Sequence, residues 1–182
     1  MVVYVGLLRA VNVSGSGVVK MEALRATLTG MGLAGVHSLL QSGNIVFRAE
    51  ERDAGRLERL LESRLAETLS LRTEVFLRSA GEWDRIMNRN PFAREADEAP
   101  AQLVVTALKD PPRPDAWRSL DAAIRGRERV RGDGRQAYIV YPDGIGRSRL
   151  TLGVIERQLG TRATSRNWNT VVRLGGAASS LA

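Results

Sequence analysis

The chain has 182 residues, no cysteine and a single histidine, which excludes a disulfide framework, a thiolate metal site and a cluster of histidine ligands. Its hydrophobic fraction of 43% is ordinary for a globular protein with its own core. The net charge of +7 is unevenly placed: residues 1–124 carry 16 basic and 16 acidic side chains, residues 125–182 carry 11 and 4.

A local excess of cations attracts anions such as phosphate. The 25 arginines against 2 lysines fit biased genome composition equally well. No apolar run is long enough to span a bilayer. The opening MVVYVGLL is short, lacks a basic start and meets Arg9 at once, so it reads as a strand rather than a secretory signal. A cytoplasmic, non-membrane protein is the expectation. His37 lies in the strand-like VHSLL and reads as a structural or surface residue.

In chain order, the apolar run 2–8 predicts a first strand, followed by the loop RAVNVSGSGVV. From Lys20 the pattern turns helical, with Met21, Leu24, Leu28 and Met31 on one face and Gly30 and Gly32 at the stop. VHSLL and NIVF predict two strands joined by a tight turn at QSG. Leu57, Leu60, Leu61, Leu65 and Leu69 form the stripe of a second helix, and RTEVFLR predicts a fourth strand. The order βαββαβ over 1–78 is that of a ferredoxin-like unit, a sheet with two helices on one face.

Residues 79–100 read as a connector holding a short helix around Trp83, Ile86 and Met87, ended near Pro91. A second α+β unit over 101–174 then repeats the order. AQLVVTAL is a strand, DPPRPDAWRSLDAAI becomes a helix, and RERVR and QAYIVY form a hairpin across GDG. The helix LTLGVIERQL stops at Gly160. The expected fold is therefore α+β, with two ferredoxin-like halves. The second half is incomplete, its last strand replaced or lost, and a short C-terminal helix follows it. Residues 175–182, small and polar, are expected to be a frayed tail.

Three polar blocks are candidates for function. GSGVVK lies between a strand and a helix start but fails both the phosphate-loop and dinucleotide patterns. Amides near Gly15, with Lys20, still suit an anion, or the segment is a plain connection. Arg9 and Asn12 lie just past a strand end, where functional side chains often sit. In QSGN, Gly43 suits a positive φ, and Gln41, Ser42 and Asn44 either complete the turn or read a planar polar ligand. TSRNWNT reads as a helix start capped by Thr164 or Ser165, presenting Trp168, Val171 and Val172 to the core. Capping leaves Arg166, Asn167, Asn169 and Thr170 unexplained, and these are candidate ligand contacts. Arg127, Arg129 and Arg131 alternate along a strand, forming a solvated face or a platform for a phosphate backbone. The helix carboxylates Glu58 and Glu62 read as solvent-facing, and no acid–base pair stands out.

YVGLLRAVNVSGSGVVKMEALR, QSGNIVF, GIGRSRL and TSRNWNTVVRL together resemble the bacterial family named domain of unknown function 1697, in four ordered blocks reaching about residue 174. The resemblance implies a two-part α+β fold and no activity. Where the family's loop usually has two glycines, a basic or polar residue and VKM, this chain has GSGVVKM. The family's signature positions here are Arg9, Asn12, Gly15, Lys20, Gln41, Ser42, Gly43, Asn44, Arg166, Asn167, Trp168, Asn169 and Thr170. Three functions remain open. One is a binding protein for an anionic small molecule or nucleic acid, held by the arginines and lysine and oriented by the carboxamides. Another is an enzyme without a metal acting on an anionic substrate. The third is a scaffold whose polar blocks fix loops. No metal is expected, and neither a cofactor nor an oligomeric state can be assigned.

Overall fold

Two four-stranded antiparallel sheets organise the computed structural model, which describes residues 1–11 and 19–182. The chain divides into two units, residues 1–87 with 173–182, and residues 88–172.

In the first unit, β1 (Val2–Leu8), α1 (Met21–Gly30), β2 (Ala34–Leu39), β3 (Asn44–Ala49), α2 (Ala54–Leu69) and β4 (Val75–Ser79) follow in order. The strands lie as β2-β3-β1-β4. Alternation along the strands sends Tyr4, Leu8, Ile45, Phe47, Val75 and Leu77 to one face. Leu24 and Leu28 of α1 and Leu57, Leu61 and Leu65 of α2 pack there. Burial of each such side chain stabilises the unit by about 1.5–3 kcal/mol. Leu60, placed by periodicity in the α2 stripe, is 47% exposed, because four residues in two turns already fill the buried face. Asp53 caps α2 by accepting from the Arg56 amide at 3.0 Å.

Val5, Leu7, Val46, Phe76 and Arg78 are buried on the opposite face of this sheet. α3 (Ala80–Asn88) follows β4 without a break and buries Trp83 and Ile86. The C-terminal residues also belong to this unit, and Leu174 and Ala178 are buried. Gly175 lets the helix backbone come close: a Cβ there would lie 2.5 Å from Met87 Cε. The expected frayed tail is therefore helical to Leu181. Gly, Ala and Ser carry little sequence signal, but they allow close packing.

The second unit begins with α4 (Ala93–Glu98), then β5 (Leu103–Leu108), α5 (Ala116–Ala123), β6 (Arg129–Asp133), β7 (Gln136–Val140), α6 (Leu152–Leu159) and β8 (Ala163–Asn167). The strands lie as β6-β7-β5-β8. Val104, Leu108, Ile139, Leu120, Ile155 and Leu159 form its core between sheet and helices. Leu103, Val105, Ala107, Tyr138 and Val140 are buried on the other face.

Three expectations are corrected here. The second sheet is complete: residues 163–167, ATSRN, pair with β5 from Ala163↔Leu108 to Asn167↔Val104. Thr, Ser, Arg and Asn show no apolar alternation, so this strand carries no hydrophobic signal in the sequence. The following helix, α7 (Trp168–Leu181), starts three residues later than a Thr164 cap implies and has 14 residues, so it is not short. Val172, expected in the core, is 49% exposed.

Candidate functional site

Antiparallel pairing of β1 with β3 brings the Gln41–Asn44 turn to the end of β1. The Leu8 amide donates to the Gly43 carbonyl at 2.8 Å, so the Gln41–Asn44 turn lies against the end of β1, beside Arg9. Gly43 has φ +72, and a Cβ there would sit 2.8 Å from Leu8 Cβ, so glycine is required on both counts. Asn44 is fully buried. Its Nδ2 donates to the Leu39 carbonyl at 3.1 Å and to Ser42 Oγ at 2.9 Å. The carboxamide therefore closes the turn. Ser42 and Gln41 are exposed.

Arg9 is half-buried and lies 3.6 Å from Glu74 through Nη1 and Oε2. Its amide donates to the Glu74 carbonyl at 2.9 Å, and its carbonyl accepts from Thr73 Oγ1 at 2.7 Å. Lys20 is exposed at the start of α1, with no ion pair among the described residues. Asn12 and Gly15 lie outside the described residues.

The third block lies in the second unit and is locally committed. Arg166 Nη1 donates to Thr164 Oγ1 at 2.9 Å and to the Ser165 carbonyl at 2.8 Å. Burial pushes its pKa down to about 10, since a guanidinium withdrawn from water loses solvation of its charge. Asn167, rather than Thr164 or Ser165, caps α7: its Oδ1 accepts from the Thr170 amide at 3.0 Å and from Thr170 Oγ1 at 2.9 Å. Ser165 Oγ instead shares a 2.8 Å hydrogen bond with Thr106 across the strand pair. Thr170 is buried and Asn169 exposed.

The arginine platform is divided. β6 begins at Arg129, so Arg127 precedes the strand and pairs with Asp143. Arg129 pairs with Glu95 and lies 5.2 Å over the Phe92 ring. Each pairing holds its carboxyl below the usual range, through a hydrogen bond from the guanidinium. His37 is exposed on β2, where it lines a cavity of about 340 Å³ with Leu39, Ala177 and Leu181. Among the described residues, no group of three metal-ligating side chains is gathered, and no helix is long and apolar enough to cross a membrane.

Four acidic residues have roles that composition did not reveal. Glu58 is buried and accepts from the Leu77 amide at 2.7 Å, and Glu62 accepts from the Val75 amide at 2.8 Å. Both were expected to face solvent. Their i,i+4 spacing matches alternate amides on the outer edge of β4, a relation visible only once helix and strand are side by side. Glu82 accepts from the Ser79 amide at 2.8 Å, and Glu156 from the Ala163 amide at 2.8 Å.

No curated protein matches the chain. Among solved structures it is similar to a conserved bacterial protein from Streptococcus pneumoniae. The identity is 22% and the TM-score 0.76, covering 97% of this chain and 98% of the other. That likeness concerns the fold. The family model for a protein of unknown function, domain of unknown function 1697, matches residues 1–138, which include the β1 end and the Gln41–Asn44 turn but stop short of β8 and α7. On this match the chain belongs to that family.

Proposed function

We propose that the chain is a binding protein for a phosphate-bearing ligand, nucleotide-like or nucleic acid, built on two ferredoxin-like halves. The strand orders β2-β3-β1-β4 and β6-β7-β5-β8, each with βαββαβ connectivity, support the architectural part of this reading. The ligand region narrows to the first unit. The observation that carries it is the 2.8 Å bond between the Leu8 amide and the Gly43 carbonyl, which joins the end of β1 to the exposed Gln41 and Ser42. Arg9 and Lys20 flank the intervening loop and supply the positive charge. An incoming phosphate competes with Glu74 for Arg9, which accepts that exchange because their bridge is only partly desolvated. Arg166, Asn167 and Thr170 drop out of the ligand set, since their side chains complete β8 and cap α7.

The commitment of Asn44 favours a second reading, a scaffold whose polar blocks only lock turns. A thermal-shift series with inorganic phosphate, nucleotides, sugar phosphates and oligonucleotides separates the two. A ligand present at a hundred times its Kd stabilises the native state by about 2.7 kcal/mol. The binding reading expects a shift that Arg9→Ala with Lys20→Ala removes, at nearly unchanged ligand-free melting temperature. No shift with any of these compounds leaves the scaffold.

A further inference from the structure

We infer that the second unit carries a separate docking surface for a nucleic-acid phosphate backbone, formed where residues 125–129 meet residues 143–149. Two contacts join these segments: Arg127 pairs with Asp143, and Ser148 Oγ bonds Glu128. Arg125, Arg127, Arg147 and Arg149 are exposed around this junction. Asp143 bonds Arg127 and, with Arg147 adding its charge, has its pKa lowered; it is the one exposed acid in the two segments. Among the described residues, Arg125, Arg147 and Arg149 make no ion pair. Residues 125–172 hold ten arginines and four acids, and Glu95, from the acidic helix α4, is met by Arg129.

The shape of the surface selects the kind of anion. A small anion needs a concave site that removes it from water. Here the guanidiniums stand on two exposed segments, and Ile145 of the second is 54% exposed. Spread point charges of this kind suit a polymer with repeated charge, and the planar guanidinium matches phosphate oxygens. Tyr138 and Tyr141 are buried, which leaves no tyrosine of β7 or its end to stack on bases. Binding is therefore independent of sequence and strongly dependent on salt.

The test is fluorescence anisotropy of short labelled single-stranded and duplex oligonucleotides with the full chain. Four phosphate contacts predict a log–log salt slope of about −3. Arg147→Ala with Arg149→Ala, both exposed, should leave the melting temperature unchanged and flatten the slope by about 1.5. Asp143→Asn, which removes the surface's own competitor, should tighten binding. Arg9→Ala with Lys20→Ala should keep the full slope, so this surface and the first-unit site can fail separately. Absence of oligonucleotide binding at about 50 mM salt overturns the inference. So does a slope unchanged in the Arg147/Arg149 variant, or binding to phosphatidylserine vesicles without binding to oligonucleotides.

Discussion

The two units repeat one another at individual hydrogen bonds although their sequences share little. Leu8 and Leu108, at the ends of the first strands, donate to the turn carbonyls of Gly43 and Arg135 at 2.8 and 2.9 Å. The next residues, Arg9 and Lys109, donate to Glu74 and Arg162 at 2.9 and 2.8 Å. Across the fourth strands, Arg78 and Arg166 stand opposite Val5 and Val105, and each returns Nη1 to the preceding carbonyl at 2.8 Å. Ser79 and Asn167 then accept from the amides of Glu82 and Thr170 as the following helix begins. What the units do not share is the treatment of the outer edge. On β4 the amides of Val75, Leu77 and Ser79 are bonded by the carboxylates of Glu62, Glu58 and Glu82, whereas on β8 the Ala163 amide is bonded by Glu156. A backbone topology thus persists while its edge protection is solved differently in each copy.

The largest effect should come from breaking the better-protected edge. Glu58 is 4% exposed, so Glu58→Ala leaves the Leu77 amide without its acceptor in a dry setting and should cost about 3 kcal/mol. Glu156 has a side chain 12% exposed and pairs with the more exposed Arg162, so water can partly replace it and Glu156→Ala should cost about 1–2 kcal/mol. Chemical denaturation measures both, and equal losses would remove the distinction between the edges. Adding Glu62→Ala to Glu58→Ala should also produce concentration-dependent self-association by sedimentation, as β4 gains free donors.

Next in size is the turn that adjoins β1. Asn44→Ala removes both Nδ2 bonds at a fully buried position and should cost about 2 kcal/mol. In the second unit, Gly134 and Arg135 make the corresponding turn between Asp133 and Gln136, with no buried carboxamide. Asn44 is therefore specific to the first copy. Asn44→Asp, close in shape but without the donor, should lose nearly as much. A mild effect of Asn44→Asp would show that shape, not donation, holds the turn.

How much of this was legible before the structure depended on apolarity. β1, β3, β4, β5 and β7 bury side chains on both faces, and their unbroken Val, Ile, Leu and Phe marked them as strands. β8 occupies the same place as β4 but is written ATSRN where β4 is VFLRS, so it had no hydrophobic signal to read. Its pairing is carried by backbone bonds and the Thr106–Ser165 contact, which are non-local. The same limit applies to the site. Arg9 and Gln41 could be singled out by composition, yet their adjacency requires β1 to pair with β3 rather than β2. Glu58 misled because a carboxylate on an amphipathic helix normally faces water, and only an unpaired strand edge nearby reverses that expectation.

Alkaline titration offers a contrast between the units at intermediate size. Burial pushes the Tyr138 phenol up to about 12 from its ordinary 10.0, and burial raises Tyr141 further. The first unit has only Tyr4, with a smaller upward shift. Between pH 10 and 12 the unfolded chain has released the Tyr138 proton while the folded chain keeps it, so unfolding is favoured. Stability from this residue is complete below pH 10 and falls by up to about 1.4 kcal/mol per pH unit above it. Tyr138→Phe should flatten the decline of melting temperature over that range. A decline that is the same in Tyr138→Phe would locate the alkaline transition elsewhere.

The smallest effect concerns the segment that looked most like a binding site. If Asn167 is a helix cap, Asn167→Ala should lose about 1 kcal/mol, Asn167→Asp or Asn167→Ser should restore most of it, and no ligand response should change. The Ser79 position supplies the internal control, since it does the same work with a hydroxyl accepting at 3.3 Å. Exchanging the two caps, Ser79→Asn with Asn167→Ser, should therefore give a folded protein within about 1 kcal/mol of the original. If Asn167→Ser instead abolished binding of phosphate compounds while keeping the melting temperature, the carboxamide would have a second role that its hydrogen bonds to Thr170 do not reveal, and the second unit would have to be returned to the ligand site.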